Sequence, residues 1–103
     1  MKTDCIVIEG KEYPVEFNWN ATADFLDNEN LKIDQADDLR NLKAGQVTGL
    51  IYAGVKEGCR MHKVEFNLLK EDFAALLQPK NVADLLMIYA RHTSSTLLEV
   101  KKK

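Results

Sequence analysis

The feature that most constrains the fold is a pair of short apolar runs at the start of the chain, in the stretch "CIVIEGKEYPVEFNW". The first run is β-branched, and the second alternates, with Tyr13, Val15 and Phe17 on one face. A period of two predicts half-buried strands, and Gly10-Lys11 between the runs predicts a tight hairpin turn. Because a two-stranded hairpin is only marginally stable alone, it must pack on the helices that follow.

Helix signals begin where the hairpin ends. Pro14 has no amide hydrogen and therefore favours an edge position in the strand pair. Asn18 and Asn20 are both candidate caps, because either side chain can accept from the first-turn amides of a helix. The residues of this first helix expected to face the core are Ala21, Phe25 and Leu26.

The middle of the chain predicts two more helices. One is expected over residues 34–45, with Asp34 as its cap and Gly45 at its end. The next is expected over 46–62, where apolar spacing marks Val47, Leu50, Ile51 and Val55 as one face. Its glycines 49, 54 and 58 are unusual, since each costs about 1 kcal/mol relative to alanine. Small residues at these positions predict that a neighbouring helix approaches closely. The alternative is that Gly58 only frays the end of the helix.

Two helices close the chain. The first is short, with Asn67 as its expected cap, and Pro79 either ends it or opens the next one. Its expected inward residues are Leu69, Phe73, Leu76 and Leu77, and those of the last helix are Val82, Leu85, Leu86 and Tyr89. The tail after residue 93 can extend the helix, add an edge strand or stay loose.

These patterns predict a single α+β domain over residues 1–103. A two-stranded β-hairpin (1–18) packs on a small bundle of four to five α-helices (19–93), and residues 94–103 form a flexible tail. A chain of 103 residues suits one domain with one modest core. No apolar run approaches the roughly 18–20 residues of a membrane helix, and the start of the chain lacks a signal-peptide pattern. We therefore expect a cytoplasmic protein.

Charge is distributed unevenly along the chain. Residues 1–40 hold ten acids and four bases (−6), whereas residues 41–103 hold ten bases and six acids (+4). This asymmetry indicates either two solvated faces or a basic face that meets an acidic partner. With a pI near 5.6 and no basic cluster except the last three lysines, we expect no nucleic-acid partner.

The sequence offers little chemistry. Cys59 and His62 are one helical turn apart, but no third group completes a nucleophilic site. No pair among Cys5, Cys59, His62 and His92 has metal-ligand spacing, so we expect free thiols rather than a metal centre or a disulfide. His92 is expected at a helix end, where a cation suits the dipole. We therefore predict a protein that is not an enzyme and has no cofactor.

The order of elements resembles that of the tail assembly chaperones of long-tailed bacteriophages and gene transfer agents. The resemblance covers about residues 5–92 and rests on "IEGKEYPVEFNWNATADFLD", "LRNLKAGQVTGLIYAGVKEG" and "FNLLKEDFAALLQPKNVADLLMIYA". One departure follows the first helix, where Asn28 and Asn30 stand in place of the acids and glycine of many members.

The resemblance implies a non-enzymatic role in virion assembly. Such a chaperone, encoded by a phage or prophage, binds the tape measure protein, keeps it soluble and helps to recruit tail tube protein subunits. It works in the cytoplasm of the bacterial host, is not expected in the mature virion, and has no membrane partner. Self-association through the hairpin edge is a further expectation.

Apolar and aromatic side chains supply the candidate binding residues. Trp19 and Tyr52 are the aromatics best placed as exposed anchors, with burial in the core as the alternative. A groove beside the third and last helices is expected at Tyr52, Val55, Met61, Met87 and Ile88, since methionine adapts to varied apolar partners. The alternative function is a small adaptor or regulatory domain whose hairpin edge pairs with a partner strand.

Overall fold

In the computed structural model of the protein, the described residues are 4–32 and 42–101, and from residue 93 only the backbone is described. A hairpin of β1 (Cys5–Ile8) and β2 (Lys11–Pro14) precedes four helices. The helices are α1 (Trp19–Asn28), α2 (Ala44–Met61), α3 (Lys70–Leu76) and α4 (Pro79–Lys101). This is the α+β fold that the sequence predicts.

The hairpin turn lies one residue earlier than predicted. Ile8 pairs with Lys11, so the two turn residues are Glu9 and Gly10. Both have positive φ, 54° and 77°, as a primed turn compatible with strand twist requires. The prediction placed Gly10 first in the turn. In the structure Gly10 is the second turn residue, and the first is Glu9, whose backbone also adopts the left-handed conformation.

Both outer edges of the hairpin are met by helices. In an antiparallel ladder, hydrogen-bonded and non-hydrogen-bonded pairs alternate. Counted from the pair Ile8–Lys11 next to the turn, Cys5–Pro14 is a non-hydrogen-bonded pair, so the ladder loses no hydrogen bond through the missing amide hydrogen of Pro14. On the β2 side, the Glu16 amide donates to the Gly54 carbonyl of α2 at 3.0 Å. On the β1 side, Asn81 Nδ2 of α4 donates to the Val7 carbonyl at 3.2 Å.

Three glycines of α2 pack closely against other parts of the chain. A Cβ at Gly54 would overlap the Phe17 ring, one at Gly58 would overlap the Pro14 carbonyl, and one at Gly49 would overlap the side chain of Glu29, the C-cap of α1. The predicted close approach is therefore present, but its partner is strand backbone only at Gly58 and a side chain at the other two positions. Gly58 does not fray the helix, since α2 continues to Met61.

The first two helices differ in how well their boundaries were predicted. Asn18 caps α1, with its side chain accepting from the Ala21 amide, so one of the two candidate caps is confirmed. The predicted helix over 34–45 falls largely on residues 33–41, outside the described residues. Its expected end, Gly45, lies instead in the first turn of α2, so that boundary was wrong.

The structure also differs from some of the predictions for the last two helices. Asn67 does not cap α3, because Leu69 occupies the cap position and Asn67 donates to Glu65 Oε2 at 2.9 Å. Leu69 is exposed rather than inward. Pro79 opens α4, whose backbone continues as helix through Lys101. Along the described residues, we find no helix with both the length and the apolar character needed to cross a bilayer.

Within the part of the chain that the structure describes, one core joins the hairpin to the four helices. The strand residues Tyr13, Val15 and Phe17 are buried, as the alternation predicts, together with the predicted side of α1. Leu50, Ile51, Val55, Phe73, Leu85 and Ile88 complete the interior from α2, α3 and α4. The less buried members of the predicted apolar faces, including Leu76, Val82 and Tyr89, pack against this cluster.

Candidate functional site

A buried carboxylate organises the junction of α1 and α2. Glu57 is only 7% exposed. Arg60 donates to it from Nε at 2.8 Å and from Nη2 at 2.7 Å. Asn18 and Asn20 donate their side-chain amides to Glu57 Oε2 at 2.8 and 3.3 Å. These bonds, those from Arg60 above all, outweigh burial and lower the pKa of Glu57 to about 2.

The same network fixes the start of α1. Asn18 Oδ1 accepts from the Ala21 amide at 3.0 Å while Asn18 Nδ2 is held by Glu57. The cap residue is thus bonded at both ends of its side chain. The next residue, Trp19, is 62% exposed. The indole therefore projects from a backbone position that α2 fixes.

Met61 lies at the same junction. Its sulfur is 3.5 Å from Asn18 Nδ2, and its side chain is 46% exposed. An exposed aromatic and an exposed methionine therefore flank one cap. Both residue types are enriched in the cores of protein interfaces.

A cavity of about 430 Å³ opens beside this junction, between α1 and α2. Five of its lining side chains are apolar: Ala21, Ala53, Cys59, Val64 and Phe66. The other five are polar or charged: Asn20, Asp24, Lys56, Glu57 and Arg60. We call the cavity together with Trp19 and Met61 the α1–α2 surface.

A second opening of about 600 Å³ lies between β1 and α4. Val7 and Met87, which are 56% and 61% exposed, both line it. Cys5, Lys80, Asp84 and Arg91 also contribute to its walls. We call this opening the β1–α4 groove.

The loop before β1 is tied to α4 by His92. The ring accepts the Phe17 amide at Nδ1 (3.2 Å), which assigns the proton to Nε2, and Nε2 donates to Asp4 Oδ2 at 2.7 Å. Arg91 Nη2 is 3.0 Å from Asp4 Oδ1. The bond from His92 is the main reason that the pKa of Asp4 is lowered. His92 is inside α4, so its expected place at a helix end was wrong.

The five predicted groove residues do not meet in one groove. Val55 and Ile88 are buried in the core. Tyr52 is half-buried, and its hydroxyl donates to the Leu68 carbonyl at 2.6 Å, which secures the segment between α2 and α3. Met61 belongs to the α1–α2 surface, whereas Met87 belongs to the β1–α4 groove, where Ile88 also contributes to the lining.

The cysteines are poorly suited to nucleophilic chemistry. Both are free thiols, with Cys5 exposed and Cys59 buried. Burial raises the pKa of Cys59, whereas an activated thiol needs a lowered one. His62, the other half of the suggested pair, is exposed at the end of α2. Within 4–32 and 42–92, no three His, Cys, Asp or Glu side chains are grouped as metal ligands.

Sequence reasoning identified Trp19 but missed Glu57. The spacing of Glu57 and Arg60 is a visible signal for a pair on one helix. The burial of Glu57 could not be read from this spacing, because Asn18 and Asn20 are about forty positions away and come close only through packing of α1 on α2.

Comparison of the chain with protein-family models, curated proteins and solved structures found no match.

Proposed function

We propose that the protein is a tail assembly chaperone of a phage or prophage, a non-enzymatic protein that binds the tape measure protein and keeps it soluble. In the same proposal, it helps to recruit tail tube subunits in the cytoplasm of the bacterial host and leaves before the virion matures. The resemblance in element order supports this function. Exposed apolar side chains, two of which line the β1–α4 groove, are the structural observation that carries it.

The exposed apolar residues suit a client with apolar helix stripes. The large apolar side chains exposed among the described residues are Val7, Trp19, Met61, Leu69 and Met87. Two of them are methionines, whose unbranched side chains adapt to different partner shapes. An amphipathic helix binds a groove through anchors at helical spacing, and such a surface covers apolar stripes that would otherwise aggregate.

Separate small surfaces also fit a reversible role. Many weak contacts along a repetitive client give high overall avidity without one very tight site. Each contact can then be displaced when tube subunits compete for the client. The hydrogen bonds of Glu16 to α2 and of Val7 to α4 disfavour the alternative in which an adaptor acts by strand addition at β1 or β2.

Co-expression with apolar helical fragments of a tape measure protein tests the proposal. We expect the fragments to remain in the soluble fraction only when the chain is present, in a complex visible by size exclusion. Replacing Trp19 and Met87 together with glutamate should abolish that complex, whereas Lys43→Glu, an exposed change outside both surfaces, should not. The proposal is rejected if fragment solubility is the same with and without the chain.

A further inference from the structure

We infer that His92 is a pH-sensitive latch between α4 and the segment that joins β2 to α1. The neutral ring holds the Phe17 amide of that segment, and the protonated ring releases the amide while it stays bound to Asp4. We call these three residues the His92 latch. The inference goes beyond the proposed function, because it concerns the folded chain alone and does not depend on any client.

The first support is the hydrogen-bond geometry of the ring. The Phe17 amide lies 3.2 Å from His92 Nδ1, and a backbone amide can only donate. Nδ1 must therefore be unprotonated, and Nε2 carries the proton that is donated to Asp4 Oδ2 at 2.7 Å. A neutral imidazole has one donor and one acceptor, and both are used here. A second proton would have to sit on Nδ1, where it would point at the amide hydrogen of Phe17.

The second support is that Asp4 does not titrate together with the ring. Arg91 Nη2 lies 3.0 Å from Asp4 Oδ1, so the two carboxylate oxygens have separate partners. The bond from His92, helped by Arg91, outweighs burial and lowers the pKa of Asp4. Histidines gain their charge mainly between about pH 8 and 5, where such a carboxylate is ionised. Protonation of the ring therefore turns the bond to Asp4 into an ion pair and breaks only the bond to Phe17.

The charged groups that face the ring oppose one another. Asp4, from the loop before β1, favours a positively charged ring, whereas Arg91, the preceding residue of α4, disfavours it. The segment between β2 and α1 presents the Phe17 amide, whose hydrogen also disfavours a second proton on Nδ1. It also presents the uncharged Phe17 ring, whose centroid is 5.9 Å from that of His92. The His92 side chain is 20% exposed, so protons reach it from solvent without unfolding.

The position of Phe17 makes the effect of release local. Its side chain is buried against Gly54 of α2, and its ring centroid is 5.2 Å from that of Tyr89 in α4. These packing contacts do not involve His92 Nδ1, so the side chain stays in the core when the amide loses its acceptor. The next residue, Asn18, caps α1. We therefore expect one backbone bond to open at the start of α1, and not the unfolding of the domain.

Amide hydrogen exchange tests the latch. It is followed by NMR on the full chain between pH 8 and 5 and corrected for the intrinsic pH dependence of exchange. We expect the protection of the Phe17 amide to fall about fivefold to tenfold as the pH is lowered, because one hydrogen bond is lost. The Val15 and Glu16 amides are matched controls, since they donate to the carbonyls of Asp4 and Gly54, which do not titrate. Their protection should stay constant.

NMR spectra of the imidazole nitrogens report on the other half of the latch. Above the transition we expect the proton of His92 on Nε2 alone, and below it a proton on both nitrogens. The change in the imidazole and the loss of protection at Phe17 should have the same midpoint, because one event causes both.

Two variants separate the roles of the ring and the carboxylate. His92→Asn places an oxygen close to the position of Nδ1 but does not titrate, so Phe17 protection should no longer depend on pH. Asp4→Asn keeps an oxygen acceptor and removes the charge that favours the protonated ring, so the transition should move to lower pH by about one unit. His62→Asn changes the other histidine of the chain, at the C-cap of α2, and should leave the transition unchanged.

Three results would overturn the inference. Constant Phe17 protection while the ring gains its second proton would show that the amide bond does not depend on Nδ1. An equal loss of protection at Val15, Glu16 and Phe17 would show general opening of this segment in place of the release of one bond. A His92 ring that stays neutral from pH 8 to 5 would show that no latch operates. The measurement on the native chain needs no substitution, so a variant that fails to fold leaves the test in place.

Discussion

At the scale of single residues, glycine and glutamate on α2 decide how the hairpin and α1 are seated. Gly54 and Gly58 each lower helix propensity by about 1 kcal/mol relative to alanine, and they leave room for the Phe17 ring and the Pro14 backbone. Their presence in a helix was visible from the sequence as an anomaly. The approaching partner was not, because residues 14–17 reach α2 only in the folded chain.

We expect Gly58→Ala to destabilise the protein by about 2 kcal/mol, because the added Cβ overlaps the Pro14 carbonyl and the backbone must shift. Gly45→Ala is the matched control in the same helix, with open space around the added Cβ. It should be neutral or stabilise by up to about 1 kcal/mol. Urea unfolding measures both changes, and equal effects of the two substitutions would contradict the packing.

Glu57 predicts a defined pH dependence of stability. Its pKa is about 2 in the folded protein against 4.5 ordinarily, so its contribution is present above about pH 4.5 and is lost as pH falls toward 2. That contribution is on the order of 3 kcal/mol. The difference in stability between the native chain and Glu57→Gln should therefore be largest near neutral pH and should shrink as the pH falls from 4.5 to 2. A pH-independent difference in chemical denaturation would rule out the ionised Glu57 carboxylate as its cause.

At the scale of elements, local chemistry predicted the parts that depend on neighbours in sequence. Period-two alternation identified the buried face of Tyr13, Val15 and Phe17, and Asn18 was recognised as a candidate cap because its side chain satisfies a nearby amide. Boundaries were less predictable. Gly45 looked like a helix end, but the helix that contains it is held by its packed face rather than by propensity.

The connection between α2 and α3 depends on one hydroxyl. We expect Tyr52→Phe to cost about 1 kcal/mol, because the Leu68 carbonyl loses its hydrogen bond while the aromatic packing remains. Hydrogen exchange should become faster in residues 64–69 and in α3, with α1 as the internal control. Unchanged exchange in the connection would show that the hydroxyl does not secure it.

At the scale of the whole molecule, the candidate surfaces depend on tertiary packing and were only partly predictable. Trp19 was recognised as a candidate anchor from its residue type. The predicted single groove was not formed, because helical spacing alone could not tell the buried Val55 and Ile88 from the exposed Met61 and Met87. Which face of a helix is covered depends on elements that lie far away in sequence.

Thiol reactivity reports on the intact fold. We expect one of the two cysteines to react with a disulfide reagent in the native protein and the second only on unfolding, because Cys59 is 1% exposed. Cys5 should react more slowly than an unperturbed thiol, since burial and nearby carboxylates raise its pKa. In the Cys5→Ser variant, the reaction that occurs in the native protein should disappear. Two fast thiols in the native chain would contradict the burial of Cys59.

The seating of the hairpin between α2 and α4 has a consequence for the behaviour of the protein at high concentration. Bare strand edges are templates for fibril growth, and their danger rises with concentration. Here the Gly54 carbonyl and the Asn81 side chain already occupy positions where a foreign strand would begin to pair. At high concentration, one position on each edge is therefore already engaged within the molecule, which works against strand addition at the hairpin.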